Sequence, residues 1–231
     1  MFKKLSIAAA GATIATLTAV PDASAIVNSS FENDFTGWST IGSTSIEDGS
    51  FGTTPSDGDF NALINSNGGV DESAINAFLN LASGDIESFL GSDATGSAIK
   101  QTIFAKAGDT LTFDFNFLTN EFTPDYLFND SAFVSISGLN ILADTNSNFI
   151  TSITPFSEET GYQSFSYTFS ETGNYTLGFG AVNVGDDAVN SGLLIDNVEL
   201  TSTPEPTTIL GLFATACGAF SLLKRNQKEE V

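Results

Sequence analysis

The chain has 231 residues, with 28 acidic side chains, 7 basic side chains and no histidine. Without an imidazole, the sequence excludes Ser-His-Asp and Cys-His nucleophiles and His-ligated zinc. Five of the bases lie near the two ends, so residues 26–203 contain 24 acids against only Lys100 and Lys106. This net charge of −22 would repel phosphate backbones and anionic lipid surfaces, which argues against nucleic-acid binding.

Residues 1–25 have the pattern of a secretory signal peptide. Lys3 and Lys4 precede an apolar and small-residue stretch over residues 5–20, and Ala23-Ser24-Ala25 has the A-x-A form of a cleavage site. An uncleaved N-terminal membrane anchor is the alternative, but Thr and Gly residues interrupt the apolar stretch. The segment therefore predicts an exported protein.

Residues 26–202 predict one all-β domain. Apolar and polar residues alternate with period two over residues 110–117 and 165–169, as expected of half-buried strands. Residues 175–179 follow the turn 171–174, so we expect them to form a hairpin with 165–169. Turn-forming residues separate further strand candidates, which are 38–47, 61–65, 98–105, 131–137 and 193–200. Short strands at this spacing predict a jelly-roll-like β-sandwich.

Residues 71–90 depart from this alternation. Ile75 and Leu79, and then Ile86 and Leu90, lie at helical spacing, and Gly84 divides the two groups. We interpret this segment as two short helices on an insertion between strands.

The two edges of the domain resemble carbohydrate-binding modules of the jelly-roll type. The resemblance rests on Asn28-Ser29-Ser30-Phe31-Glu32 with Gly37-Trp38, and on the sequence LIDNVEL at residues 194–200. In that family the acid after the first aromatic residue and the aspartate of the last strand meet at a structural calcium. The resemblance implies that Glu32 and Asp196 bind Ca²⁺ together with backbone carbonyl groups near Asn28. The alternative is that both acids are solvated or satisfy turns.

A second group of oxygen ligands lies at strand ends and in loops of the middle of the chain. Its members are Asn120, Glu121, Asn129, Asp130, Asp186 and Asp187. Calcium prefers six to eight oxygen ligands, so these side chains are a second candidate calcium site. The alternative is again solvated acids and turn residues, since no EF-hand loop or Gly-Gly-x-Gly-x-Asp repeat is present.

Aromatic residues in loops are candidates for contact with a sugar, whose ring has an apolar face and a polar rim. Tyr126 and Phe128 flank Asp125 and Asn129 in the predicted loop 122–130, and loops commonly carry binding residues. We therefore predict Tyr126 and Phe128 as ligand-binding residues, with packing under the loop as the alternative. Further aromatic candidates are Trp38, Phe156 and Tyr162; a tryptophan placed like Trp38 is more typical of a core.

Residues 203–231 predict a sorting tail. Pro204-Glu205-Pro206 precedes an apolar run over residues 207–223, long enough for one transmembrane helix, and a basic cluster follows. This order resembles the PEP-CTERM tail of exported bacterial proteins, and residues 116–121, 129–134 and 184–194 resemble stretches common in its cyanobacterial members. The resemblance implies cleavage near Pro-Glu-Pro by an exosortase, a membrane transpeptidase-like enzyme, with release to the cell surface or exopolysaccharide matrix. A permanent single-pass anchor is the alternative.

These features predict an exported, non-catalytic surface or matrix protein that is stabilised by calcium and associates with extracellular polysaccharide. One alternative is a carbohydrate-active hydrolase that uses a carboxylate pair, such as Glu121 with Asp130 or Asp187. No spacing among the acids indicates such a pair. The other alternative is a structural adhesin that binds other proteins.

Overall fold

A computed structural model describes residues 25–91 and 93–203, which form two antiparallel β-sheets packed face to face. The strands are β1 Glu32–Phe35, β2 Ser39–Ile41, β3 Ser43–Asp48, β4 Phe60–Asn65, β5 Val70–Asp71, β6 Thr95–Ala105, β7 Thr110–Thr119, β8 Ser131–Ser135, β9 Leu139–Asp144, β10 Ile150–Thr151, β11 Glu158–Glu159, β12 Gln163–Thr168, β13 Gly173–Asn183 and β14 Ser191–Thr201. The helices are α1 Glu72–Leu79 and α2 Asp85–Leu90.

One sheet has seven strands in the order β10-β11-β7-β14-β4-β3, with β12 also paired to β7. The other has six strands in the order β2-β6-β13-β8-β9, with β5 also paired to β6. The strands β7 and β14 pair over most of their length, and a bulge lies between Asp196 and Glu199. The prediction of an all-β sandwich with a short helical insertion is confirmed.

The predicted signal peptide, the Pro-Glu-Pro motif and the apolar run 207–223 lie outside the described residues, apart from Ala25 at the end of the signal. In the part of the chain that the structure does describe, no helix has the length and apolar character needed to cross a membrane.

The interior between the sheets is rich in phenylalanine. Alternate residues of β7, namely Phe113, Phe115 and Phe117, are buried in it. From the facing sheet, Phe179 of β13 meets Phe113 edge to face, with 4.7 Å between the ring centroids. Edge-to-face contact is a favoured arrangement of aromatic rings. The prediction that residues 110–117 form a strand with one buried face is therefore confirmed.

The predicted hairpin of residues 165–169 with 175–179 is wrong. The strand β12 pairs with β7 in one sheet, whereas β13 pairs with β6 and β8 in the other. The turn between them crosses the sandwich, and Phe169 and Tyr175 pack together with ring centroids 4.6 Å apart. Both strands turn an apolar face to the same interior, so they pack across the core instead of pairing.

The single strand predicted over residues 38–47 is two strands in different sheets. Gly42 separates β2, which pairs with β6, from β3, which pairs with β4. Gly42 has a φ of +77°, and a Cβ atom there would lie 2.3 Å from the Oγ of Ser97. Only glycine fits such a close approach in the left-handed region without strain. The chain therefore changes sheets at this residue.

The two helices pack on the outer face of the six-stranded sheet. Ile75 and Leu79 of α1 and Ile86 of α2 form a buried cluster with Phe133 and Val182 of the sheet. The helical interpretation of residues 71–90 is confirmed. The helices therefore cover part of this face, whereas the outward residues Thr102 of β6 and Asn174 of β13 stay exposed.

The outer face of the seven-stranded sheet is also partly covered. Leu63, Leu118 and Leu194 point outward from three adjacent strands and are buried under Phe156. Both outer faces are therefore covered in part, and the most exposed aromatic side chains of the described residues lie in a loop at the end of the sandwich.

Candidate functional site

The predicted calcium pair, Glu32 and Asp196, converges on one loop. The Oε1 of Glu32 accepts hydrogen bonds from the backbone N–H groups of Asp59 (2.8 Å) and Phe60 (2.9 Å). The Oδ2 of Asp196 accepts from the N–H of Asp57 (2.9 Å) and the hydroxyl of Ser56 (3.2 Å). The two carboxylates therefore hold opposite ends of the loop 56–60.

Asp196 lies in a strongly desolvated position. Burial raises its pKa to about 6, although hydrogen bonds from Asp57, Asn197 and Ser56 favour the ionised form. Ile195 pairs with Ala62, so Asn61 lies level with Asp196 on the neighbouring strand. The Oδ1 of Asn61 is buried without a hydrogen-bond partner among the described residues.

The chemistry of these groups fits calcium. Carboxylate and amide oxygens are the hard ligands that Ca²⁺ prefers, and an orphaned buried acceptor such as Asn61 Oδ1 requires an additional partner. In the described ranges no three carboxylate or thiol side chains form a metal-binding group by themselves. A calcium ion at Glu32 and Asp196 would therefore take its other ligands from amide and backbone oxygens.

The second predicted group is brought together in part. Asp130 is only 1% exposed. Its Oδ1 accepts from the N–H of Val184 (3.0 Å) and its Oδ2 from the hydroxyl of Ser191 (2.6 Å). Burial, with smaller contributions from the charges of Glu121 and Asp186, raises the pKa of Asp130 to about 7 in spite of these bonds.

Glu121 and Asp186 complete this acidic cluster. Glu121 is buried, which raises its pKa, and the charges of Asp186 and Asp125 act in the same direction. Asp187 is exposed and makes no hydrogen bond within the described part of the chain. The cluster therefore consists of Glu121, Asp130 and Asp186.

The two asparagines of the predicted group have structural roles. The amide of Asn120 donates to Asn190 (3.1 Å), and its Oδ1 accepts from the N–H of Ser157 (2.8 Å). The Oδ1 of Asn129 accepts from Thr145 and Asn146, each at 2.9 Å. Both residues fix loops next to the acidic cluster.

The loop that follows Glu121 carries the most exposed aromatic rings of the described residues. Phe122 is 89% and Tyr126 is 84% exposed, and Leu127 between Tyr126 and Phe128 is also exposed. Phe128 is half-buried, and it packs close to Gly185. We refer to residues 121–128 as the apex loop. The sequence analysis named Tyr126 as a ligand-binding candidate but did not name Phe122. The only sequence feature that could have indicated Phe122 was its position in the predicted loop 122–130.

Hydrogen bonds hold the apex loop in one conformation. The Oδ1 of Asp125 accepts from the N–H groups of Leu127 (2.7 Å) and Phe128 (3.0 Å). The hydroxyl of Thr145 donates to the carbonyl oxygen of Asp125 (2.8 Å), and Thr123 donates to Glu158. The exposed rings therefore project from a fixed backbone.

The other aromatic candidates are not exposed platforms. Trp38 is buried against Phe31 and Phe179, and its indole N–H donates to the carbonyl oxygen of Asn28 (3.2 Å). This confirms that Trp38 belongs to the core. Phe156 is buried on the outer face of the seven-stranded sheet. Tyr162 packs against the same cluster, and its hydroxyl accepts a hydrogen bond from Asn61 (3.0 Å).

No protein-family model and no curated protein matches the chain. Solved structures with a similar fold include TmCBM61 in complex with β-1,4-galactotriose, at 14% identity over 78% of this chain and 99% of that one, with a TM-score of 0.43. The K1 cleaved adhesin domain of Lys-gingipain from Porphyromonas gingivalis W83 is 14% identical over 80% and 100% of the two chains, with a TM-score of 0.45. The N-terminal cellulose-binding domain of Cellulomonas fimi β-1,4-glucanase C is 17% identical over 79% and 99%, with a TM-score of 0.35. At these values no residue role is transferred to this chain.

Proposed function

We propose that the protein is a non-catalytic module that binds polysaccharide outside the cell through its apex loop. The observation that carries this proposal is the exposure of two aromatic rings, Phe122 and Tyr126, in the same loop as the half-buried carboxylate of Asp125. The apolar face of a sugar ring packs on an aromatic side chain, while carboxylates accept hydrogen bonds from the sugar hydroxyls.

The fixed conformation of the apex loop supports this role. A loop that is already ordered loses little conformational entropy when a ligand binds. Asp125 and Thr145 supply that order from within the loop and from its neighbour. We assign Phe122 and Tyr126 to the sugar-facing surface, and Phe128 to the support beneath it.

The experiment is retention of the full chain on a panel of immobilised polysaccharides. Replacing Tyr126 or Phe122 with Ala should weaken retention about tenfold, because an exposed aromatic anchor typically contributes about 1.4 kcal/mol or more. The matched control is Phe89→Ala, which removes an exposed phenylalanine from α2. Unchanged retention of Tyr126→Ala and Phe122→Ala on a polysaccharide that binds the unmodified chain would contradict the assignment.

Calcium at Glu32 and Asp196 is the second element of the proposal. The two carboxylates bind opposite ends of the loop 56–60, and a cation between them would neutralise two acids in a body that has few bases. Its role would be to stabilise the fold and not to bind sugar. The apex loop follows Thr119, which pairs with Ser191 at the start of β14, whereas Asp196 lies in the middle of that strand.

Sorting to the cell surface is the third element. It rests on the tail sequence, in which Pro204-Glu205-Pro206 precedes the apolar run and the basic cluster. An exosortase-type enzyme would cut the membrane-anchored precursor near this motif. Mass spectrometry of the released protein should give a C-terminus near Pro204, and a chain ending at Val231 in that fraction would count against sorting.

The hydrolase alternative has one observation in its favour, because a carboxyl group with a pKa of about 7 beside other acids is typical of acid–base catalysis. Asp130 is nevertheless buried, and both of its oxygens already accept hydrogen bonds from the chain. It cannot reach a glycosidic bond in this arrangement. Calcium-dependent self-association without polysaccharide retention would instead favour the adhesin alternative.

A further inference from the structure

Three acidic residues lie in adjoining segments at the end of the sandwich below the apex loop. The backbone N–H of Glu121 is linked to the Asp130 carboxylate through the hydroxyls of Thr119 and Ser191, and Asp130 accepts from Val184, two residues before Asp186. Glu121 follows β7, Asp130 precedes β8, and Asp186 lies between β13 and β14. The charge of Asp186 acts on both other carboxylates, and that of Glu121 acts on Asp130. Since Glu121 and Asp130 are buried, this repulsion is only weakly screened by solvent.

No basic side chain of the described residues is placed to neutralise this cluster. The Nζ of Lys100 contacts the carbonyl oxygen of Phe78 and lies 4.5 Å from the centroid of its ring, under α1. Lys106 precedes the ten-residue strand β7, and Glu121 follows it, so roughly 30 Å of strand separates them. The repulsion is therefore relieved either by protonation of a carboxyl group, as the raised pKa values of Asp130 and Glu121 allow, or by a bound cation.

An unpartnered amide points to where such a cation would bind. Asn183 is fully buried, and neither its Oδ1 nor its Nδ2 has a hydrogen-bond partner among the described residues. Val182 pairs with Ser131, so Asn183 lies level with Asp130 on the adjacent strand. Phe179 and Ala181 of β13 point into the core between the sheets, and Asn183 points the same way because side chains alternate along a strand. Its amide therefore lies in the same buried layer as the Asp130 carboxylate.

A second orphaned oxygen lies in the neighbouring loop. The Oδ1 of Asn146 is buried without a partner, while its Nδ2 donates to Asn129 (2.9 Å), the residue before Asp130. Buried polar atoms without a protein partner generally contact a water or an ion. A water would satisfy the amides but leave the repulsion among the acids, whereas a cation reduces that repulsion and gives an orphaned amide oxygen a partner.

We propose that Asp130 and Asn183 hold a calcium ion at a site separate from Glu32 and Asp196, with the neighbouring acids Glu121 and Asp186 adding negative charge around it. No three acids of the described ranges are already spaced as metal ligands, so the remaining ligands would be amide and backbone oxygens, which Ca²⁺ accepts. A carboxylate has about four lone-pair positions, and hydrogen bonds to Asp130 occupy two of them. The others remain for the ion.

Such an ion would connect the apex loop to the segment 184–190. Glu121 begins the apex loop, Asp130 follows its end, and Asp186 belongs to the other segment. Phe128 already packs near Gly185 between them. Calcium would therefore reduce local opening of the loop, and this effect does not require that any sugar binds.

The test is calcium titration of the full chain after treatment with EDTA, followed by hydrogen exchange of its backbone amides. At a calcium concentration 100 times the dissociation constant, opening that requires loss of the ion should be suppressed up to about 100-fold. We expect slower exchange at residues 121–130 and 184–190 in the unmodified chain and in Glu32→Gln. Asp130→Asn and Asp186→Asn should lose this protection. Asp186 is half-exposed, so Asp186→Asn keeps the test possible if Asp130→Asn fails to fold.

Asp187→Asn is the matched control, because it removes the same charge one residue away without touching the cluster. It should retain the calcium protection. Protection that is confined to residues 28–34 and 56–60, or that survives in Asp186→Asn, would overturn the proposal and leave a buried water at Asn183. Polysaccharide retention is measured separately, so failure of the apex-loop assignment would leave this result unaffected.

Discussion

Single side chains decide where the local elements of this protein begin. Asp71 precedes α1 with an extended backbone, and its Oδ1 accepts hydrogen bonds from the N–H of Ala74 (2.9 Å) and the hydroxyl of Ser73 (2.5 Å). These bonds satisfy a backbone donor that the first turn of a helix leaves free. They also favour the ionised carboxyl, so the pKa of Asp71 lies below its ordinary value.

Asp71→Ala should therefore destabilise the fold, with a thermal midpoint about 2–4 °C lower at pH 7. A lowered pKa in the folded state contributes stability above the unfolded pKa, and this contribution is lost as the pH falls through the folded pKa. The difference between the variant and the unmodified chain should thus shrink in acid below about pH 4. Thermal melts of the full chain at several pH values measure this effect.

Glu87→Ala is the control, because it removes an exposed acid from α2 that makes no capping hydrogen bond. Its midpoint should stay close to that of the unmodified chain. A difference for Asp71→Ala that persists undiminished at pH 3 would show that the ionised cap is not its cause.

At the scale of elements, the sequence predicted the strands better than their partners. Alternation identified β7 and residues 175–179 of β13 because it depends on which face of a strand is buried. It carries no information about which neighbour supplies the hydrogen bonds. For this reason residues 165–169 and 175–179 were expected to pair, whereas β12 and β13 face each other across the core.

Elements with weak patterns were missed. The edge strand β9 has two consecutive exposed residues, Asn140 and Ile141, so it shows no regular alternation. The approach of the acids to one another depends on how the loops 120–130 and 184–190 meet, which arises from long-range pairing. The sequence therefore identified all three members of the acidic cluster, while their separation from Asp187 and the exposure of Phe122 required the structure.

At the scale of the whole molecule, charge is the dominant feature. The described body has 24 acids between residues 26 and 203 and only two bases, and self-repulsion of this kind destabilises a compact state. The single Cys217 lies in the tail, so residues 26–203 contain no cysteine that could form a disulfide. A bound cation would reduce this repulsion.

Calcium should therefore raise the thermal midpoint of the EDTA-treated full chain. A ligand at 100 times its dissociation constant adds about 2.7 kcal/mol, which corresponds to a rise of roughly 5–10 °C for a domain of this size. Glu32→Gln should lose a large part of this rise. An equal rise with magnesium, or no rise with calcium, would contradict a calcium site at Glu32 and Asp196.

The position of both exposed rings on a single loop has a consequence for how the protein would act in a matrix. A projecting loop with two exposed rings touches a polymer at one point, whereas an open sheet face would follow many sugar units. Each contact would be weak and short-lived, and retention would depend on the number of copies that bind one polymer. A layer of such molecules would therefore retain a polysaccharide strongly at high surface density, through avidity, and release it readily at low density.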